Sequence, residues 1–139
     1  MKRMMRMLSV VVCVAAITAA CSKATNDQGA AGVRVTAIDL GRSLALDKGI
    51  ADKASEFRPS DTIYLSVETD GTSAQTTLLS RWTYQDGQVV KELSETIAPT
   101  GKARTEFHIV KPDGWPAGKY AVAVSLNGTP AGSKDFVVK

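Results

Sequence analysis

The sequence predicts an all-β fold, an antiparallel β-sandwich of about seven strands, and two observations predict it. From Val33 onward, apolar and polar residues alternate in short runs, which is the period-two pattern of half-buried strands. Clusters of Gly, Asp, Asn and Pro separate these runs, and none of the runs has the spacing of an amphipathic helix. Short strands at this regular spacing favour two packed antiparallel sheets.

The chain begins with a segment that has the three parts of a secretory signal. Basic residues come first, at Lys2, Arg3 and Arg6. An apolar run, residues 7–17, follows them, and small residues at 18–20 precede Cys21. The apolar run is too short to span a bilayer as a helix, so residues 1–20 are predicted to be a signal peptide that is removed.

The residues Thr18-Ala19-Ala20-Cys21 resemble the lipobox of bacterial lipoproteins, although Thr18 stands where that family usually has Leu. The resemblance implies that Cys21 becomes the first residue of the mature chain and carries acyl chains such as palmitate. Several acyl chains anchor a protein permanently, whereas one chain binds a membrane only marginally. Because Ser22 rather than Asp follows, the resemblance implies the outer membrane of a Gram-negative envelope, facing the periplasm. The alternative is a soluble secreted protein cut nearby at an A-x-A-like site.

Removal of the signal changes the charge and the cysteine content. Loss of Lys2, Arg3 and Arg6 reduces the 17 basic residues to 14, which equals the 14 acidic residues. Without a net positive charge, the mature chain lacks the electrostatic pattern that binds nucleic acid or an anionic membrane surface. Cys13 leaves with the signal and Cys21 would carry lipid, so we expect neither a thiol nor a disulfide in the mature chain.

Two further segments follow the signal. Residues 21–32, the lipidated cysteine and a stretch of small and polar residues, have the composition of a flexible tether. Residues 33–139 have the length of one domain, which can bury about two-thirds of its unfolded surface without disulfides or metal.

Six runs within 33–139 carry the strand alternation. Their alternating positions are Val33, Val35 and Ala37; Ile63, Leu65 and Val67; Thr76, Leu78, Ser80, Trp82 and Tyr84; Ala103, Thr105, Phe107 and Ile109; Tyr120, Val122, Val124 and Leu126; and Lys134, Phe136 and Val138. Turn signals separate them, and the Asp-Gly and Asn-Gly pairs at 70–71, 86–87, 113–114 and 127–128 favour tight hairpins. Residues 41–59 have no predicted structure, and Asp47-Lys48-Gly49 is either a small hairpin or part of a long loop.

Two motifs resemble immunoglobulin-like and fibronectin-like domains. Residues 115–122, Trp-Pro-Ala-Gly-Lys-Tyr-Ala-Val, resemble the corner before the penultimate strand, where a Tyr at the strand start bonds back across the corner. Residues 57–64 resemble the Pro-x-Asp start of an early strand in bacterial immunoglobulin-like modules, and Trp82 takes the place of the core Trp. The resemblance covers 33–139 and implies a fold without specifying an activity. No cysteine pair flanks Trp82, which excludes the disulfide-bonded antibody subtype.

The sequence offers few of the residues that catalysis or metal binding would need. His108 is the only histidine, it faces away from Phe107 on a predicted strand, and the mature chain offers no cysteine nucleophile. A solvent-facing histidine is therefore expected, and a metal site built on thiolate or imidazole is not. Asp70, Asp86 and Asp113 lie in glycine-containing turns without the spacing of a calcium loop. We expect no enzyme, no cofactor and no bound metal.

Aromatic residues are the remaining candidates for a binding surface. Trp115 lies in a loop near Asp113 and can stack on a sugar or anchor an apolar group of a partner. Tyr64 faces away from the core, and Tyr84 shares a face with Trp82. The alternatives are that Trp115 folds down to close the end of the core and that the tyrosines form cross-strand pairs.

Two functions are compatible with these features. The first is a non-enzymatic, membrane-tethered lipoprotein of the cell envelope, a protein-interaction or structural module that presents a sheet face, an edge strand or its Asp-Gly loops to an unidentified envelope protein. The second is a small-ligand module for glycan or peptidoglycan fragments, which requires Trp115 to be exposed beside a concavity. In both, lipid on Cys21 holds the membrane, and neither nucleic acid nor metal is an expected partner.

Overall fold

The computed structural model describes residues 32–139 and contains nine strands, six of which come from the alternating runs. The strands are β1 (Arg34–Leu44), β2 (Ile50–Lys53), β3 (Glu56–Phe57), β4 (Ile63–Asp70), β5 (Thr76–Tyr84), β6 (Gln88–Ile97), β7 (Ala103–Ile109), β8 (Gly118–Leu126) and β9 (Thr129–Val138). Sheet A has the strand order β2-β1-β4-β7, and sheet B has the order β3-β9-β8-β5-β6. The predicted signal peptide, Cys21 and the predicted tether up to residue 31 lie outside the described residues.

The predicted fold class is confirmed, but the described residues contain nine strands rather than about seven. Strands β2 and β3 come from residues 41–59, which had no predicted structure. Both lack an alternating pattern because β3 has only two residues and β2 is mostly exposed, so neither needs a row of apolar side chains. Within residues 32–139, no helix is long and apolar enough to cross a membrane.

The turn between β1 and β2 is a small hairpin, which decides between the two alternatives for Asp47-Lys48-Gly49. The amide of Ala45 donates a 2.7 Å hydrogen bond to the carbonyl oxygen of Gly49, and Lys48 has a φ of 63°. The carboxylate of Asp47 accepts a 3.0 Å hydrogen bond from the Gly49 amide. The tip of the hairpin lies against the outer face of sheet A, where Asp47 forms an ion pair with Arg104 of β7.

The core lies between the sheets and contains most of the inward positions that the alternation predicted, together with Leu40, Phe57 and Trp115. In β1 a bulge after Val35 shifts the alternation, so Ile38 and Leu40 join the core instead of Ala37. Trp82 is 0% exposed and meets Phe136 edge-on, with ring centroids 6.0 Å apart. Its indole N–H donates to the hydroxyl of Ser80 at 3.2 Å, and that hydroxyl lies 3.4 Å from the carbonyl oxygen of Leu93 on β6. The polar atoms that Trp82 and Ser80 bring into the core are therefore satisfied.

The hairpin prediction for the turns is correct at two sites and wrong at two others. Asn127 and Gly128 join β8 to β9 with φ values of 47° and 84°, as an Asn-Gly hairpin turn requires. The 86–87 pair belongs to a three-residue hairpin loop between β5 and β6. The 70–71 and 113–114 pairs instead lead from sheet A to sheet B, because the strands that flank them do not pair with each other.

The first described residues and the β7–β8 connection lie at opposite ends of the sandwich. Gly32 packs against Gly71, and Arg34 pairs with Asp70 at the last residue of β4. Ile109, at the end of β7, pairs with Ile63 at the first residue of β4. The eight residues of β4 separate these two ends by about 25 Å. We call the end that holds the β7–β8 connection the far end.

Candidate interaction surface between two strand edges

Trp115 closes the far end of the core and is only 5% exposed. Its backbone amide donates to the carbonyl oxygen of Pro59 at 2.8 Å, and its indole N–H donates to the carbonyl oxygen of Asp61 at 3.1 Å. The indole also meets the ring of Tyr120 edge-on, with centroids 6.2 Å apart. These contacts use the nitrogen and cover the ring faces, so the exposed indole that the glycan hypothesis required is absent. Asp113 is exposed in the preceding turn and is not brought into a site with Trp115.

The corner before β8 has the geometry that the resemblance implied. The phenol of Tyr120 donates a 2.7 Å hydrogen bond to the carbonyl oxygen of Pro116. The phenol of Tyr84 donates to the neighbouring carbonyl of Ala117 at 3.0 Å, and the two tyrosine rings lie 4.7 Å apart as partners across β5 and β8. Burial and the nearby Tyr84 raise the pKa of Tyr120 above its ordinary value. Tyr84 therefore serves the packing of this end, as one half of a cross-strand pair.

Tyr64 lies on a different surface, the outer face of sheet A. It pairs with His108 across β4 and β7, and the two rings lie 5.5 Å apart. The Nδ1 atom of His108 is 3.2 Å from both carboxylate oxygens of Glu106, and about half of the histidine side chain is exposed. His108 thus faces solvent as predicted. Among residues 32–139, no group of three His, Cys, Asp or Glu side chains is placed to hold a metal ion.

The far end carries a groove between two strand edges. Strand β6 is the last strand of sheet B and β7 is the last strand of sheet A, and the two edges lie on the same side of the sandwich. A depression of about 390 Å³ lies between them, and an adjoining one of about 260 Å³ lies between β6 and the β7–β8 connection. The two share Val90, Lys111 and Trp115 as lining residues. We call these two depressions together the edge groove.

Exposed valines line the edge groove. Val110 is 59% exposed, Val89 is 50% exposed and Val90 is 36% exposed. Val90 is the extra residue of a β-bulge, because Lys91 pairs with Trp82 while Val89 pairs with the next residue of β5. This surface was not predicted from the sequence, although two apolar pairs, 89–90 and 109–110, interrupt the alternation there. Clustered exposed apolar residues mark interaction surfaces more often than single ones do.

The charges at the edge groove have one sign. Lys91 and Lys111 line it, and neither forms an ion pair within residues 32–139. No Asp or Glu lines either depression. A groove with an aliphatic floor and two lysines suits a group that is partly apolar and carries a negative charge.

The two edges differ in how well they are protected against pairing with another strand. β6 has the bulge at Val90 and places Lys91 and Glu95 opposite Trp82 and Leu78, at positions that face the core. Bulges and inward charges are the features that deter the addition of a strand. β7 pairs with β4 without a register shift, and its inward positions are uncharged, namely Ala103, Thr105, Phe107 and Ile109. The β7 edge is therefore the less protected one.

A larger depression of about 530 Å³ lies on sheet B near β3 and β9. Its polar lining includes Gln85, Lys119 and Asp135. The two aromatic residues that line it, Tyr120 and Phe136, are both buried. It therefore offers no exposed ring for stacking on a sugar.

Two antiparallel sheets packed around a core tryptophan, with a tyrosine corner before the penultimate strand, define an immunoglobulin-like β-sandwich. Solved structures share this fold. An immunoglobulin-like protein from Pseudomonas aeruginosa superposes with a TM-score of 0.52 and 16% identity, covering 78% of this chain and 98% of that one. The C-terminal domain of Wzt superposes with a TM-score of 0.55 and 13% identity, covering 80% and 75%.

A similar domain also occurs within a larger protein. The chain superposes on the Pseudomonas fluorescens alkylpurine DNA glycosylase AlkC bound to DNA containing an abasic site analog, with a TM-score of 0.51 and 18% identity. The match covers 78% of this chain but only 31% of the glycosylase. No protein-family model and no curated protein matches the sequence. At these identities the similarity shows the fold alone.

Proposed function

We propose that this chain is a non-enzymatic lipoprotein of the bacterial cell envelope, whose immunoglobulin-like domain serves as a protein-interaction or structural module. Acyl chains on Cys21 would tether it to the outer membrane, with the domain in the periplasm. The observation that carries the proposal is the edge groove, an exposed aliphatic surface between two unpaired strand edges. Such edges offer backbone groups that another chain can pair with.

The direction of the chain supports this arrangement. Gly32, the last residue of the predicted tether, lies at the end of the sandwich opposite the edge groove. A lipid on Cys21 would therefore hold the domain by one end and leave the edge groove about 25 Å or more from the anchored end, facing away from the membrane.

The glycan-binding alternative has less support. It depended on Trp115 as a stacking surface, and that indole is buried with its N–H already bonded to Asp61. The depression on sheet B could hold a polar ligand, but it has no exposed aromatic ring to add affinity for a sugar face.

The anchor is tested by metabolic labelling with a clickable palmitate analogue. The wild-type protein should take up the label and sediment with membranes, and Cys21→Ala should lose both. Cys13→Ser, which changes the other cysteine of the predicted signal peptide, is the matched control and should keep both. Label on Cys21→Ala, or a wild-type protein that is soluble and unlabelled, would contradict the proposed tether.

The interaction is tested by placing a photocrosslinking residue at Val110 in living cells. Position Lys134, exposed on β9 away from the edge groove, is the control. A protein adduct that forms at Val110 and not at Lys134 supports an interaction module. Adducts with glycan alone would overturn it in favour of the ligand-binding alternative.

A further inference from the structure

The edge groove has a chemistry that restricts what can bind in it. We propose that the β7 edge accepts an extended peptide strand from a partner protein, with a β-branched aliphatic side chain in the edge groove and an acidic side chain beside Lys91 and Lys111. The inference rests on the proposed function, because it names the partner chemistry of that interaction module.

The choice of β7 follows from the comparison of the two edges. β7 is regular over its seven residues, and its inward positions carry no charge, so a strand added beside it continues the inner face of sheet A without burying an ion. On β6, the inward Lys91 and Glu95 would lose water if a strand covered them.

The side-chain chemistry follows from the residues around the added strand. Its inward side chains would meet Val90, Val110 and the rim of Trp115, which provide apolar contacts in a space of a few hundred cubic ångströms. Aliphatic β-branched residues suit both this floor and an extended backbone. Lys91 and Lys111 have no carboxylate beside them in the edge groove, so an acid on the partner strand would supply the missing counter-charge.

The experiment selects binders from a displayed library of random peptides of about seven residues, the length of β7, on the full-length protein purified in detergent. The expected result is enrichment of peptides that alternate Val, Ile or Thr with other residues and that contain Asp or Glu. Val110→Asp should abolish the enrichment, because it places a negative charge, which repels an acidic peptide, on the aliphatic surface of the edge groove. Backbone amide shifts on binding should concentrate in β7.

The charge requirement is tested by repeating the selection with Lys91→Glu and Lys111→Glu combined. The enriched peptides should change from acidic to basic, and an acidic peptide should bind this variant about three- to tenfold more weakly than wild type. The control variant combines Lys48→Glu and Lys134→Glu, which lie outside the edge groove. It changes the net charge by the same amount and should keep the preference for acidic peptides.

Three results would overturn the inference. The first is that the variant with Lys91→Glu and Lys111→Glu still enriches acidic peptides. The second is that the amide shifts on peptide binding map to β6 or to another part of sheet B. The third is no enrichment together with concentration-dependent pairing of two copies of the chain through β7. In each case a Val110 adduct in cells would still support an interaction module, so the failure of this inference and of the proposed function can be told apart.

Discussion

The hydroxyl of Tyr120 donates a hydrogen bond to the carbonyl oxygen of Pro116, four residues earlier in the chain, at 2.7 Å. The bond closes the corner that leads into β8, and Tyr120 is buried there beneath Trp115. Tyr84 makes a similar bond to Ala117 at 3.0 Å from a more exposed position. The two phenols therefore donate equivalent hydrogen bonds to adjacent carbonyl groups, but Tyr120 does so from a more buried position than Tyr84.

This difference in depth predicts different effects of removing each hydroxyl. Tyr120→Phe should lower the free energy of unfolding by about 1–2 kcal/mol, because it leaves a partly buried carbonyl without its donor. Tyr84→Phe should cost less than about 1 kcal/mol, because water can reach the freed carbonyl more easily. Urea unfolding of both variants measures this, and equal losses would show that the corner bond has no special role.

The ionisation of Tyr120 should also stand out from that of the other tyrosines. Burial, and then the charge of Tyr84, raise the pKa of Tyr120 above 10.0. A group whose pKa is raised on folding gives a contribution to stability that is complete below its unfolded pKa and is lost as pH rises through the folded pKa. Stability should therefore fall above about pH 10.

A spectroscopic titration measures that late ionisation. The phenolate absorbance of the native protein should rise in more than one step, because the raised pKa delays the ionisation of Tyr120, one of three tyrosines in the chain. The last step should vanish in Tyr120→Phe and persist in Tyr64→Phe. A single step shared by all three residues would contradict the raised pKa.

Gly118 at the start of β8 should not tolerate a side chain. It has a φ of 148°, and an added Cβ would lie 2.4 Å from the side-chain nitrogen of Gln85 and 2.8 Å from the ring of Tyr84. Gly87 also has a positive φ, of 100°, but has open space around it. Gly118→Ala should therefore destabilise the domain by about 2–4 kcal/mol, and Gly87→Ala by about 1 kcal/mol. Comparing the thermal unfolding of the two variants separates the cost of the close contacts at position 118 from the cost of the positive φ that both positions share.

Both tryptophans should be protected from solvent. Trp82 is 0% exposed and Trp115 is 5% exposed, and they are the only two in the chain. In Trp82→Phe the remaining emission comes from Trp115 alone, and iodide should quench it far less than it quenches free tryptophan. Strong quenching would mean that the indole is accessible and would restore the glycan-binding hypothesis.

The hairpin at Asp47 should respond to acid. The Gly49 amide, and then Arg104, hold the pKa of the Asp47 carboxyl below 3.8. A lowered carboxyl pKa contributes stability that is present above the unfolded pKa and is lost as pH falls through the folded pKa, so the hairpin should loosen only below about pH 4. The carboxyl carbon shift of Asp47, followed by NMR, measures the pKa. Arg104→Gln should raise it, and an unchanged value would show that the ion pair does not form in solution.

How far the sequence predicts the structure depends on burial. In β4, β5 and β8 one face is buried between the sheets, so the alternation identified their inner positions correctly. β6 is exposed along most of its length and places Lys91 and Glu95 inward, so it showed little alternation. Whether an Asp-Gly pair makes a hairpin or leads to the other sheet depends on long-range pairing, and no local pattern contains that information.

The candidate site was predictable only in part, for a related reason. Trp115 was identified as a notable residue, but the partner that buries it is the backbone of residues 59–61, which is distant in sequence. The edge groove forms from segments near Val90 and Val110 that are far apart along the chain. Their doubled apolar residues were visible in the sequence, but their adjacency was not.

Gly32 and the edge groove lie at opposite ends of the sandwich, and this placement determines how the domain would carry mechanical force. A lipid anchor before Gly32 and a strand bound at β7 would pull along the strands in opposite directions. The pull would pass from β1 to β4 and from β4 to β7, through two ladders of seven residue pairs each. Hydrogen bonds in these ladders lie across the strands, so all of them would share the shear at once instead of opening one after another. With both attachments in place, the domain would therefore stay folded while a bound partner moved relative to the membrane.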